Sequence, residues 1–462
     1  IIKNLAIKTQ EKEEFGEVFT PPDLIKEMLG KLPKSVWKNK DYKWLDPANG
    51  QGNFPMIIYF KLMKELDSVP LSKRSEHIIK NMLYMVELNP KNVKISRKIF
   101  GKDANIFCGS FLTKDNKSVN PRINDEFGVE KFDIIMGNPP FNDSQENDGK
   151  KGGGNSLWPY FVKTSLETLK QNAYLVFVHP AGWRKPESEN SKNKGLFKLM
   201  THDNMMKYLE IHNTDDGNKV FNAGTRYDWY VIKKHKSNSN TIIKDELGVE
   251  YDINLKEWEF LPNYNINVIK PLLKTNDKSV DVIYSRNTFG TDKKWVSSEK
   301  TTEYKYKLVH STPAKGVRYF YTSTRNPPVR EPTKMFGVPK VIFGESGINE
   351  VVVDYNGYYG ITQEAIGIKI TNEREGKQIR SALLSKNFND ILKSLSFGNF
   401  RIDWRIFTMF KPDFYKHPMF TNKAKTYSKP KSKSKSPGNK TKKSNTAGKV
   451  INRKTIKKPK NK

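Results

Sequence analysis

The sequence predicts an α/β protein: an open, doubly wound, mostly parallel sheet, then a mixed α/β, strand-rich second domain and a disordered basic tail. Three observations carry this. From 41 to 238, short apolar runs alternate with amphipathic stretches, the signature of strand–helix–strand units. After the polar segment HKSNSN at 235–240 the texture turns aromatic, β-branched and rich in Gly and Pro. Residues 416–462 carry 17 Lys and Arg and no acidic residue; such a stretch cannot bury apolar surface.

Residues 1–40 read as a helical lead-in. In FGEVFTPPDLIKEMLGKL, Thr20 is the expected helix N-cap, Pro21 and Pro22 fit the first turn, and Asp23 suits the positive helix end. Leu24, Ile25, Met28 and Leu29 supply an apolar stripe. Seven strands are expected next: Tyr42–Leu45, Leu83–Glu87, Asn105–Cys108, Phe132–Met136, Tyr174–Val178, Tyr208–Ile211 and Tyr227–Ile232. Helical stretches such as MIIYFKLMKEL and LWPYFVKTSLETL separate them. The domain ranges are thus 1–40, 41–238, 239–415 and 416–462.

Composition narrows the function. The net charge is +31, and removing the tail leaves 81 − 17 = 64 basic against 50 acidic residues, or +14. That excess suits a polyanionic partner, although a merely basic soluble protein has it too. No uninterrupted apolar run is long enough for a membrane span. The single Cys108 precludes an internal disulfide and favours a reducing, intracellular compartment. The seven histidines lack metal-ligand spacing, so no metal is expected.

In open sheets of this kind ligands bind beyond the carboxyl ends of the strands. Three such ends carry chemistry. WLDPANGQGNF, 44–54, ends the first strand; Gly50 and Gly52 permit a tight bend, and Asp46 offers a carboxylate. The loop lacks the Lys-Ser/Thr of a phosphate loop. The second strand ends at Glu87, placed to accept ribose hydroxyls or simply to cap the next helix. The fourth ends in FDIIMGNPPF. There the amide oxygen of Asn138 and the carbonyl of Pro139 can both accept from one exocyclic amino group. Pro139 and Pro140 stiffen the corner, and Phe141 offers a face on which a flipped base can stack.

FGEVFTPP, DPANGQGNF and GNPPF, in that order, resemble the amino DNA methyltransferases that use S-adenosylmethionine, in the motif order of their gamma group. The resemblance covers about residues 14–235. It implies a seven-stranded, Rossmann-like methyltransferase sheet, with 239–415 as target recognition domain. By it, Thr20 and Pro21 contact the methionine part of the cofactor, and Asp46, Ala48, Gly50, Gly52 and Phe54 form the cofactor loop. Glu87 is then the ribose-binding acid. Ser110 and Phe111 stand where many members have an acidic residue and an aromatic beside the cofactor adenine. Phe221, in KVFNAG, is the second aromatic of the base sandwich, or else a core residue.

The implied activity is site-specific methylation of adenine N6 in double-stranded DNA, by direct transfer without a metal. Arg286, Lys293, Lys294, Trp295, Arg318 and Arg325 are candidate DNA contacts, against the plainer reading of solvated surface. The glycine-rich segment 142–155 reads as a flap over the site or as a simple connection. Trp183 and Arg184 either touch nucleic acid or pack. The tail adds nonspecific DNA affinity, aids solubility, or directs the chain to a nucleus or viral factory rather than a cytoplasmic nucleoid. Other readings stay open: a bifunctional restriction-modification enzyme with a nuclease domain upstream of residue 1, an RNA or protein N-methyltransferase, or an inactive DNA-binding relative. Oligomeric state and recognition sequence are not legible.

Overall fold

A computed structural model describes residues 19–142, 156–188, 191–275, 278–398 and 401–420. Helix α1 (Pro22–Gly30) opens it and buries Leu24, Ile25, Met28 and Leu29, the stripe expected from spacing. Thr20 is not its cap. Pro21 holds that position and no side chain caps the helix; Pro22 lacks an N–H, so one donor fewer needs satisfying. The Thr20 hydroxyl is engaged elsewhere, by Asn138.

Nine strands form the main sheet: β1 (Trp44–Asp46), β2 (Leu83–Glu87), β3 (Asn105–Cys108), β4 (Phe132–Gly137), β5 (Leu169–Pro180), β6 (Met205–His212), β7 (Tyr227–Lys233), β8 (Thr241–Lys244) and β9 (Glu250–Ile253). Their order is β3-β2-β1-β4-β5-β7-β6-β8-β9. Strands β1 to β5 run parallel, and β7 is antiparallel to both β5 and β6. Seven strands lie where the sequence places them, within a few residues at each end. The sheet does not stop at the polar segment near 238, however. Beyond it β8 pairs parallel to β6, and β9 folds back on β8. The alternation in TIIK, with Thr241 and Ile243 buried and Ile242 exposed, is that of a half-covered strand.

Side chains alternate between two cores across this sheet. Trp44, Leu83, Met85, Ile134 and Met136 face one core with α1 and with α2 (Asn53–Glu65). Leu45, Tyr84, Val86, Ile135 and Phe177 face the other. That second core runs on without a break into the later part of the chain, through Phe260, Ile269, Phe343, Phe388 and Phe407. Two four-stranded sheets lie there. One has the order β10 (Val282–Ile283), β17 (Ala365–Lys369), β14 (Lys340–Gly344), β15 (Val352–Asp354). The other has β11 (Val296–Ser297), β13 (Arg318–Thr322), β12 (Tyr306–Ser311), β16 (Gly360–Ile361).

The ordered chain also reaches past residue 416. Pro418–Phe420 forms a helical turn whose Met419 and Phe420 are buried, with Phe420 against Phe388. Apolar Met419 and Phe420 sit at the head of the lysine run, and the expected disorder from 416 overlooks them. Residues 421–462 and the expected flap at 143–155 lie outside the described residues. So do residues 1–18 of the lead-in. Among the described residues, no helix is long and apolar enough to cross a membrane.

Trp183 and Arg184 are internal, not nucleic-acid contacts. Both are buried, and Arg184 pairs with buried Asp228 at 2.7 Å. The Trp183 indole N–H donates to the same carboxylate at 2.8 Å. Arg184 also donates to the carbonyls of Leu261 and Pro262 and to Asn263 Oδ1. It thus ties β7 to the later part of the chain. Removing the guanidinium leaves a buried, unpaired carboxylate. Arg184→Met is therefore expected to lower unfolding stability by about 3–5 kcal/mol, read by urea denaturation.

Candidate functional site

Strand β1 pairs with β2 on one side and β4 on the other, all parallel, so three carboxyl ends meet at one rim. The loops that leave them line one cleft, with about 910 Å³ of space including its open mouth. Of the sequence-predicted residues, Thr20, Asp46, Ala48, Gly50, Phe54, Glu87, Ser110, Phe111, Asn138 and Pro140 line it. Phe19, Gln51, Asn53, Leu88, Leu157 and Phe161 also line it and were not predicted. Leu88 had a signal, since it directly follows Glu87 at the expected end of the second strand; in the structure it is exposed although apolar. Leu157 caps and Phe161 lies in the first turn of the helix Trp158–Thr168, and neither carried a signal in the sequence.

The glycine bend is built as expected. Gly50 and Gly52 have φ of 55° and 91°, left-handed values that suit glycine. A Cβ on Gly52 would also lie 3.2 Å from the Phe100 ring, so Gly52 shapes the bend from beneath rather than lining the cleft. Gly50 has open space where a side chain would be. The Gly50 N–H donates to Glu87 Oε2 at 2.6 Å, and the Asn89 N–H donates to Oε1 at 2.7 Å. Both carboxylate oxygens are thereby fixed at the rim. Asn49 donates to Ser96 Oγ at 2.8 Å. The buried Asn49 Oδ1 and Gln51 Oε1 have no hydrogen-bond partner among the described residues.

Asp46 is buried and accepts from the Ala48 N–H at 3.1 Å. Burial pushes its carboxyl up to about 8; the Ala48 N–H opposes this and the Glu87 charge adds to it. Gly137 permits the close crossing of β4, since a Cβ there would lie 2.9 Å from Asp46 Oδ1.

At the end of β4, Pro139 is buried and Asn138 half-buried. Asn138 Nδ2 donates to Thr20 Oγ1 at 3.1 Å. Phe141 and Phe221 do meet, with ring centroids 6.2 Å apart and planes at 82°. They touch edge to face and are not parallel plates. Phe221 closes the helix Thr214–Phe221, is buried and packs edge-on against Tyr227 as well, as its core reading expects. The Ser110 hydroxyl is turned to its own backbone, accepting from Leu112 N–H and donating to Leu112 C=O. Pro21 does not line the cleft.

The six candidate DNA contacts divide. Arg286, Lys294, Arg318 and Arg325 are exposed. Arg325 lies over the Tyr306 ring, 4.7 Å from its centroid, and Lys293 pairs with Asp292 at 2.9 Å. Trp295 donates to the Thr288 carbonyl and packs on the core of the small sheets. No group of three or more His, Cys, Asp or Glu is placed to hold a metal among the described residues.

The Asp46 titration has a definite sign. In the unfolded chain its carboxyl ionises near 3.8; in the folded chain it keeps its proton to about 8. Between those values the folded state binds more protons, so Asp46 weakens the fold progressively as pH rises from 3.8 to 8. Asp46→Asn is expected to remove that slope, so that the variant gains on the wild type as pH rises; urea titrations at pH 5 to 8 measure it.

Residues 60–221 match the family model described as Eco57I restriction-modification methylase. An uncharacterized adenine-specific methylase of Mycoplasma pneumoniae is 25% identical over 251 residues, which is 39% of this chain and 58% of that protein. The chain thus spans little more than half of that relative. The type IIL restriction-modification enzyme MmeI, in complex with DNA, shares the fold with a TM-score of 0.51 at 13% identity, over 87% of this chain and 69% of its own. The M protein of the type I restriction enzyme EcoKI overlaps 50% of this chain and 48% of its own, at 17% identity and a TM-score of 0.37. The resemblance read from the sequence motifs is thereby borne out: the stretch similar to the Eco57I restriction-modification methylase model, 60–221, contains Glu87 and the NPPF corner, and the glycine bend at 44–54 precedes it.

Proposed function

We propose that this chain is a site-specific DNA methyltransferase that uses S-adenosylmethionine to methylate N6 of an adenine extruded from the duplex. The observation that carries it is the convergence of Asp46, Glu87 and Asn138 on one cleft beside a glycine bend. The cleft fits the cofactor. It offers the Asp46 and Glu87 carboxyl groups, apolar Leu88 and Phe111, and buried acceptors at Asn49 and Gln51 that lack protein partners among the described residues. Glu87 would hold the ribose hydroxyls, Leu88 and Phe111 would flank the adenine, and Asp46 would face the methionine part. When bound, S-adenosylmethionine supplies a methyl group activated on a positively charged sulfur.

The protein's own part is positioning. Asn138 Oδ1 and the Pro139 carbonyl each accept one N–H of the target amino group. Two such bonds draw the nitrogen from planar toward pyramidal and expose its lone pair. The buried, fixed Pro139 keeps the two acceptors aligned, so little ordering remains at the moment of reaction. Phe141 and Phe221 flank the base once it has parted them. Arg286, Lys294 and Arg318 are the exposed cations proposed to meet phosphates. The restriction-modification match favours DNA over an RNA or protein amide.

Tritiated S-adenosylmethionine with plasmid DNA, followed by modified-base sequencing, tests the reading. Label in adenine at a fixed sequence context is expected; no label in DNA overturns it. Asn138→Ala is expected to lower single-turnover transfer on the order of 10³-fold while calorimetric cofactor binding stays near wild type.

A further inference from the structure

We infer that Thr20 is a positioning residue for the reacting amino group, acting through Asn138 rather than on the cofactor alone. The inference rests on the proposed methyl transfer and deepens it. Thr20 sits two residues before α1 and 118 positions from Asn138 in sequence, yet both line the same cleft. The residue is 3% exposed, so its hydroxyl has little recourse to water. It provides no helix cap, the ordinary role of a threonine in this setting. Its Oγ1 instead accepts from Asn138 Nδ2 at 3.1 Å.

The chemistry of a carboxamide gives that bond a consequence. An asparagine side chain can rotate by half a turn and exchange its N–H₂ and C=O ends at little steric change. Only one of the two rotamers aids transfer. With Oδ1 toward the target amine, two N–H donors meet two acceptors. With Nδ2 toward it, donor faces donor, and a bond that should draw the nitrogen pyramidal becomes a repulsion. Thr20 Oγ1, by accepting from Nδ2, anchors the amide plane in the pose that leaves Oδ1 as the other arm; since a hydroxyl can also donate, its part is to hold that pose against rotation rather than to choose the end. The two prolines behind Asn138 constrain the backbone but leave χ2 of the amide unconstrained. Backbone and side chain are therefore locked by separate devices, one within NPP and one from the N-terminal motif.

The test separates this role from cofactor contact. Thr20→Val removes the acceptor at nearly constant shape, Thr20→Ser retains it, and Thr20→Ala guards against misfit of the valine. Single-turnover methylation of plasmid DNA is measured at saturating S-adenosylmethionine, and cofactor affinity by calorimetry, which also reports that each variant is folded. The expected result is a transfer rate lowered about ten- to a hundred-fold in the Val and Ala variants, the scale of a misplaced reacting group, with Ser restoring it. If Val and Ala transfer at wild-type rate once cofactor saturates, and lose only cofactor affinity, the inference is overturned. It is overturned equally if Ser is as slow as Val. A wild-type chain that methylates no DNA removes the underlying reading first, so the two failures are distinct.

Discussion

The parallel pairing of β1 with β2 and β4 is the constraint on which the site depends. Asp46, Glu87 and Asn138 lie far apart in sequence, and none touches another through local structure. They share a rim only because Trp44 aligns with Leu83 on one side and Ile134 on the other. A slip of one residue in either ladder would turn a buried apolar side chain to the wrong core and carry the loop residues with it. The strict division of side chains between the two cores therefore guards the register, and the register sets the chemistry.

The same economy appears at the rim. Glu87 is held by two backbone N–H groups, one from its own loop and one from the glycine bend. Asp46, by contrast, is buried, accepts from the Ala48 N–H and stays protonated toward neutral pH. Two buried carboxyls a strand apart thus differ in their surroundings: Glu87 accepts from two backbone N–H groups, whereas burial holds the Asp46 carboxyl protonated toward neutral pH.

Much of this was legible in the sequence. Strand positions followed from apolar runs bounded by Gly, Pro and Asn, and many of the cleft-lining residues followed from what stands at strand ends. What escaped notice has physical reasons. The eighth and ninth strands are short and half-polar, so their pattern does not differ from that of a linker until β6 is there to pair with them. Arg184 reads as a surface cation, and only the tertiary fold supplies the buried Asp228 and the carbonyls that neutralise it. Thr20 reads as a cap because threonine before two prolines usually is one; its true partner is 118 residues away. The shared core between the early and later parts of the chain was likewise hidden, since a change of texture marks a change of secondary structure and not a break in packing.

Under the proposed base extrusion, the edge-to-face contact of Phe141 with Phe221 would bear on how one nucleobase is told from another. A slot whose walls begin in contact asks the same toll of every flat ring that enters: loss of one aromatic pair, worth about 0.5–1.5 kcal/mol. All four bases present two π-faces and recover that loss in similar measure. On that proposal stacking would admit without choosing, and discrimination would pass to the ring's polar edge, where Asn138 Oδ1 and the Pro139 carbonyl would accept from an amine and repel a carbonyl.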